Sequence, residues 1–135
     1  VFDDAMRFAR GCKLAAPILD SLEAARDADL EDCFEHMGHV RIAFQNAFHQ
    51  LRHAPGFEEG VVNTVMHGGD TDTNACIAGA LLGSVYGAEA VPIQWREVVL
   101  SRGPAREGAY GCNDLPDLAR RLIEAGERIR SMRNA

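Results

Sequence analysis

Almost every stretch of this chain repeats its apolar side chains at the three-to-four spacing of a helix, and none alternates them in pairs. Ala5, Phe8, Ala9 and Cys12 give one short face. Leu14, Ile18, Leu19, Leu22 and Ala25 give a second, with Pro17 near its start. The clearest stripe is Val40, Ala43, Phe44, Ala47, Phe48 and Leu51, with Arg41, Gln45, His49 and Arg52 beside or opposite it. Asp29 is placed to cap a further helix over Leu30–Met37, and Glu31 and Asp32 would then suit its positive first turn.

Punctuation divides the rest in the same way. Ala54-Pro55-Gly56 ends the long stripe, and Glu58 and Glu59 open a helix from Phe57 to Met66 that Gly68-Gly69 closes. An apolar helix follows over Thr73–Gly87. Pro92 then starts another that runs through Trp95 to Leu100. Residues 102–114, with several glycines and a proline, read as a loop before a last helix over Leu115–Arg130 and a frayed tail at 131–135. The β-branched pairs Val61-Val62 and Val98-Val99 each continue a helical pattern. The expectation is an all-α, compact multi-helix bundle, with residues 1–135 forming one domain or half-domain.

Composition narrows the function classes. Nine aromatic residues (six Phe, two Tyr, one Trp) among 135 favour closely packed small side chains over a β-sandwich core. The net charge of −6 and the lack of any basic stripe interleaved with aromatics argue against nucleic acid as a partner. The arginines near the end (Arg120, Arg121, Arg128, Arg130, Arg133) mix with Glu124 and Glu127, as on a solvated helix face. Cys12, Cys33, Cys76 and Cys112 form no CxxC pair and read as reduced thiols, which fits a cytoplasmic setting. The run Ala75–Gly87 is too short for a membrane span, and the acids Asp3 and Asp4 leave no apolar leader segment at Val1–Arg10.

One segment carries chemistry: His67-Gly68-Gly69-Asp70-Thr71-Asp72-Thr73-Asn74. Its last five side chains bear oxygen and two are carboxylates, the donor type that hard divalent ions select. Residues two apart on a regular helix point away from each other. Asp70 and Asp72 can therefore converge only if one of them stands in the turn before the helix, where the glycines leave the backbone free. The plain alternative is that Asp70 or Thr71 only caps the next helix. Ala75, Gly79, Gly83 and Gly87 then recur every fourth residue, and two interior glycines imply close approach by a neighbouring backbone. That makes this helix the expected all-round buried centre of the bundle.

The string GGDTDTNACIAGALLGSVYG, followed by Val91-Pro92-Ile93-Gln94-Trp95, closely resembles the ADP-ribosylglycohydrolase family, which includes dinitrogenase-reductase-activating glycohydrolases and crystallin J1-like proteins. The resemblance covers Val40 to Leu100; residues 1–39 are compatible with it but carry no specific motif. It implies an all-α enzyme with two Mg²⁺ or Mn²⁺ ions in a central cleft, hydrolysing the bond between ADP-ribose and an acceptor such as an arginine side chain. Carried over residue by residue, Asp70, Asp72 and Thr73 are the implied metal ligands, with Asp72 the one that touches both ions. The implied substrates are ADP-ribosylated proteins or small molecules.

The chain departs from the family in length. Complete members are about twice as long, and their N-terminal half supplies a Thr-Asp-Asp type motif, the catalytic carboxylate and the loops for pyrophosphate and adenine. Asp3-Asp4 follows Phe2, not Thr, and stands too near the first residue to be that motif. The expectation is therefore the C-terminal half of the fold, inactive alone and completed by the missing half or by a partner chain. Stripped of that cover, it is expected to expose apolar surface around Ala75–Gly87 and to associate. Two readings compete with the enzyme: a non-catalytic structural module of crystallin J1 type, and a truncated pseudo-enzyme.

Other chemistry-bearing residues read as ordinary. His49 and His53 have zinc-binding spacing but no third ligand in motif, and are expected to face solvent, as are His36 and His39. His67 is expected at a helix C-terminus. Cys76 is expected to be buried and inert. Trp95 is expected to be a packing anchor.

Overall fold

The computed structural model describes residues 1–12, 16–27, 30, 34, 36–103 and 111–133, and every regular element among them is helical. They are α1 (Phe2–Gly11), α2 (Ala16–Ala24), α3 (Val40–His53), α4 (Phe57–Met66), α5 (Thr71–Tyr86), a 3₁₀ turn (Ala88–Ala90), α6 (Ile93–Leu100) and α7 (Leu115–Arg133). The chain divides into two compact units, Val1–Val91 and Pro92–Ala135. No helix among the described residues is long and apolar enough to cross a membrane.

In the first unit, α5 packs on both α3 and α4, while α1 and α2 pack on α3 and on each other. The main apolar cluster joins Phe2, Met6 and Ala9 of α1 to Leu22 and Ala25 at the end of α2, with Leu19, Phe44 and Phe48 packed against it. Phe48 meets the edge of Phe2, centroid to centroid 6.2 Å, and tilts over Phe44 at 4.9 Å. The buried face of α1 is thus Phe2–Met6–Ala9 rather than the predicted Ala5–Phe8–Ala9–Cys12, and Phe8 stands exposed. The predicted face left out Phe2, the ring that reaches Phe48. Of the predicted Leu30–Met37 helix, Leu30, Phe34, His36 and Met37 are described and lie outside any helix; Asp29 falls outside the described residues.

Helix α3 is buried on more than its apolar stripe. Ile42, Ala43 and Ala47 are buried, but so are Gln45, Asn46, His49 and Gln50, while Val40 is exposed. Asn46 and Gln50 are bonded to each other and, through Asn46, to α4 across the seam. Asn46 Nδ2 donates to Thr64 Oγ1 at 3.0 Å, Gln50 Nε2 donates to Asn46 Oδ1 at 3.2 Å, and Thr64 Oγ1 donates to the Gly60 carbonyl at 2.9 Å. A buried amide that finds such partners avoids the desolvation penalty that would otherwise expel it.

Helix α5 buries one stripe, Asn74, Ala78 and Leu82, while Ile77, Val85, Tyr86 and Cys76 are exposed. The expectations of an all-round buried helix and of a buried Cys76 are both corrected here. α3 and α4 together cover only the side marked by every fourth residue from Asn74.

The glycines of α5 are also not where the helices come closest. A Cβ on Gly79 would stand 3.7 Å from Val61 Cγ2, and one on Gly83 3.6 Å from Phe57 Cε2, both ordinary contacts. The tight approach is at Gly60 of α4, where a Cβ would lie 2.5 Å from Leu82 Cδ1 and 3.3 Å from Ala54 Cβ. Leu82 is fully buried and has little room to yield. Gly60→Ala is therefore expected to cost about 1–3 kcal/mol through overpacking. Gly79→Ala should instead add up to about 1 kcal/mol through helix propensity. Urea unfolding of the two variants checks this, and equal effects would refute the packing argument.

In the second unit, α6 follows Pro92, and α7 continues to Arg133, past the predicted end at Arg130. The Ser131 hydroxyl donates to the Glu127 carbonyl at 3.0 Å within that extension. Arg120 bonds both Asp117 and Glu124, pairs three and four residues apart that share one helix face. Most of the predicted 102–114 loop, residues 104–110, lies outside the described residues, as do residues 134–135.

Candidate metal centre

Helix α4 ends at His67, whose N–H donates to the Asn63 carbonyl at 3.0 Å. The next two residues are left-handed, Gly68 at φ +81° and Gly69 at φ +70°. Side chains other than glycine rarely adopt two such values in succession. The pair turns the chain so that Asp70 becomes the N-cap of α5, with φ −79° and ψ 71°, outside the helical region. Asp72 follows in the first helical turn.

This is the arrangement in which residues two apart can converge, and they do. The Asp70 and Asp72 carboxyls are within hydrogen-bonding reach of each other. The Asp70 side chain beside it, and then the backbone N–H groups of Thr73 and of Asp72 itself, hold the Asp72 carboxyl below the usual carboxylate range. The Thr73 N–H donates to Asp72 Oδ1 at 2.9 Å. Asp70 makes no side-chain capping bond although it occupies the cap position. Its carboxylate is thus not consumed by the role that the plain alternative assigned to it.

Thr73 lies next along the same turn, and both Asp72 and Thr73 are exposed. Gly38, at φ +79°, approaches from the turn before α3; a Cβ there would stand 3.6 Å from Asp70 Oδ2. Two converging carboxylates and a neighbouring hydroxyl suit a hard divalent ion, but they make only part of a shell. Among the described residues no group of three or more His, Cys, Asp or Glu side chains is gathered for a metal.

The histidines divide. His36, His39, His53 and His67 are exposed, as expected, and His67 is the C-cap of α4. His39 also caps α3, its Nδ1 accepting from the Arg41 N–H at 3.2 Å. His49 contradicts its prediction: it is buried, 8% exposed, stacked on His53 with centroids 4.4 Å apart. The backbone of Asp27 and Ala25, just past the end of α2, lies beside it. His49 lines a cavity of about 300 Å³ with Gln50, His53, Asn63, Met66 and His67, and its Nδ1 has no hydrogen-bond partner.

Burial pushes the His49 imidazole below its ordinary value of 6.5, helped by His53 and His67 and opposed by the backbone of Asp27 and Ala25. The unfolded chain therefore takes up this proton more readily than the folded one. The stability His49 permits is complete above pH 6.5 and falls as the pH drops from there through the lower folded value. The melting temperature is expected to decline as the pH is lowered below about 6.5, and His49→Gln should flatten that decline. An unchanged slope in the variant would assign the acid sensitivity elsewhere.

The ADP-ribosylglycohydrolase family model matches residues 1–131, so the likeness extends well beyond the Val40–Leu100 stretch that carries the motifs. Two curated relatives are similar to about half of the chain. ADP-ribosylhydrolase ARH3 of Danio rerio is 36% identical over 69 residues, which is 51% of this chain and 16% of that protein. ADP-ribosyl glycohydrolase L543 of Acanthamoeba polyphaga mimivirus is 36% identical over 66 residues, 49% of this chain and 20% of that protein. The matched stretch is thus a fifth or less of the length of either relative. No solved structure matches the chain.

Proposed function

Because the chain belongs to the ADP-ribosylglycohydrolase family, we propose that the protein it forms hydrolyses the glycosidic bond between ADP-ribose and an acceptor, with Asp70, Asp72 and Thr73 as this chain's share of a site for two Mg²⁺ or Mn²⁺ ions. The acceptor is an ADP-ribosylated protein side chain, arginine first among them, or a small molecule. One observation carries the reading. The Gly68-Gly69 turn sets Asp70 beside Asp72 and leaves its carboxylate unused by the helix it caps.

Such ions, when bound, would orient the ribose hydroxyls and lower the pKa of a water near the anomeric carbon. The part played by this chain is to hold the ligands still. The first-turn N–H of Thr73 fixes Asp72, and packing of α5 on α3 and α4 anchors the helix from which Asp72 and Thr73 project. The remaining ligands and the catalytic carboxylate are assigned to residues other than these, so the 135-residue chain alone is inactive in this reading.

The test is release of ADP-ribose from an ADP-ribosylarginine substrate. The protein with its full complement of ligands should be active with Mg²⁺ or Mn²⁺ and lose that activity to EDTA. The purified 135-residue chain should show none. Metal-independent release would overturn the site, and release by the chain alone would overturn its shared character.

A further inference from the structure

We propose that the buried run of hydrogen bonds from Gln50 through Asn46 to Thr64 is a positioning device: it fixes the register of α4 on α3 and so holds Asp70 where it meets Asp72. The inference rests on the function proposed above. The bonds run in one direction. Gln50 Nε2 donates to Asn46 Oδ1, Asn46 Nδ2 donates to Thr64 Oγ1, and Thr64 Oγ1 gives its own hydrogen to the Gly60 carbonyl. Each link dictates the orientation of the next, and the run closes on the backbone of α4. Gln50, Asn46 and Thr64 keep 3%, 2% and 1% of their surface, so water cannot stand in for a lost partner.

The run is placed to act on the ligand turn. Thr64 stands in the last turn of α4, and the carbonyl of the next residue, Val65, accepts the Gly68 N–H at 3.2 Å. The left-handed turn therefore hangs from the bonded end of the helix. Beyond it, Asp70 lies against the entry to α3, where a Cβ on Gly38 would stand 3.6 Å from Asp70 Oδ2. Asp70 thus takes its backbone position from α4 and its surroundings from α3, and a slide or rotation of one helix on the other would displace it. Packing at Gly60 sets how closely the helices approach, but apolar contact has no direction. A buried hydrogen bond has one, and a slipped register would leave its groups unpaired.

The device is tested on the active protein by measuring stability and Mn²⁺ affinity side by side. Gln50→Met, Asn46→Leu and Thr64→Val together replace the bonded side chains by apolar ones of similar size. No polar side chain of the run is then left alone, so resistance to urea should stay at or above that of the wild type. Mn²⁺ affinity and hydrolysis should nevertheless both fall by about 10- to 100-fold, the scale of loss that a misplacement of about 1 Å brings. Thr64→Ser keeps the hydroxyl and should keep wild-type Mn²⁺ affinity. Leu22→Ala opens the apolar cluster of α1 and α2 without touching the run. It should lower stability and leave the Mn²⁺ affinity of the folded protein unchanged.

Wild-type Mn²⁺ affinity in the folded triple variant would overturn the positioning role and leave the bonds as a means of burying amides. An equal loss of affinity in Leu22→Ala would overturn it as well, because any destabilisation would then suffice. If the triple variant fails to fold, Thr64→Val is compared with Thr64→Ser. Weaker Mn²⁺ binding in the valine variant is expected, and equal affinities would overturn the role. Wild-type Mn²⁺ affinity in Asp72→Asn would remove the proposed metal site and the positioning role with it. Lost affinity there, beside wild-type affinity in the triple variant, would remove the positioning role alone.

Discussion

Asp72→Asn in the active protein is expected to lower the rate of ADP-ribose release by at least about 100-fold, the worth of several kcal/mol of lost charge stabilisation. Asp70→Asn should be severe but less so, and Thr73→Ala should cost only about tenfold, near the worth of one neutral contact. The order follows from what each side chain does. In the proposed site, Asp72 would be the ligand common to both ions, and its negative charge would screen their mutual repulsion. Neutralising it weakens both positions. Asp70 would serve one, and the Thr73 hydroxyl would be a neutral ligand. The structure adds a reason for the first step. The Thr73 N–H donates to Asp72 Oδ1 and so orients the carboxylate, a charge that asparagine cannot supply. Mn²⁺ titration calorimetry run beside the hydrolysis assay separates the loss of metal from the loss of rate. Wild-type Mn²⁺ affinity in Asp72→Asn would place the site on other residues.

The elements with strong punctuation were legible in the sequence. The helix from Phe57 to Met66 has the bounds its acidic first turn and following glycines predict, and the helix after the glycine pair differs by two residues at its start. The convergence of Asp70 and Asp72 was legible for a geometric reason, since helical period allows it only with one residue outside the helix. The interior of α3 was not. Counting apolar residues at helical spacing assigns Gln45, Asn46, His49 and Gln50 to solvent, whereas the fold buries all four. For Asn46 and Gln50 the burial depends on Thr64, eighteen residues from Asn46 and on another helix. No pattern within α3 announces such a partner. The same limit applies to Gly60, whose neighbour Leu82 is remote in sequence, while the glycine stripe of α5, conspicuous in the sequence, meets only ordinary contacts.

The turn itself carries the second large expectation. Gly68 and Gly69 stand at φ +81° and +70°, where an alanine costs about 1–2 kcal/mol each. A Cβ on Gly68 would also fall 2.3 Å from Phe34 Cζ. Gly68→Ala combined with Gly69→Ala thus sets roughly 2–4 kcal/mol against the turn. The chain's cheapest escape is to relax towards helical angles, which carries Asp70 into register with α5. There it would point away from Asp72, and the carboxylates would part. Restoring the turn on metal binding then draws on the binding energy, so Mn²⁺ affinity in the active protein should fall about 30- to 1000-fold. Gly69→Asn serves as the control, because asparagine tolerates left-handed angles better than alanine and keeps the turn open to Asp70. It should retain most of the affinity. Circular dichroism should show helix content in the double-alanine variant equal to or above that of the wild type, since the loss is of a turn and not of α4 or α5. Wild-type Mn²⁺ affinity in the double-alanine variant would mean that the left-handed turn does not hold the carboxylates together, and that ligand convergence is set by α5 alone.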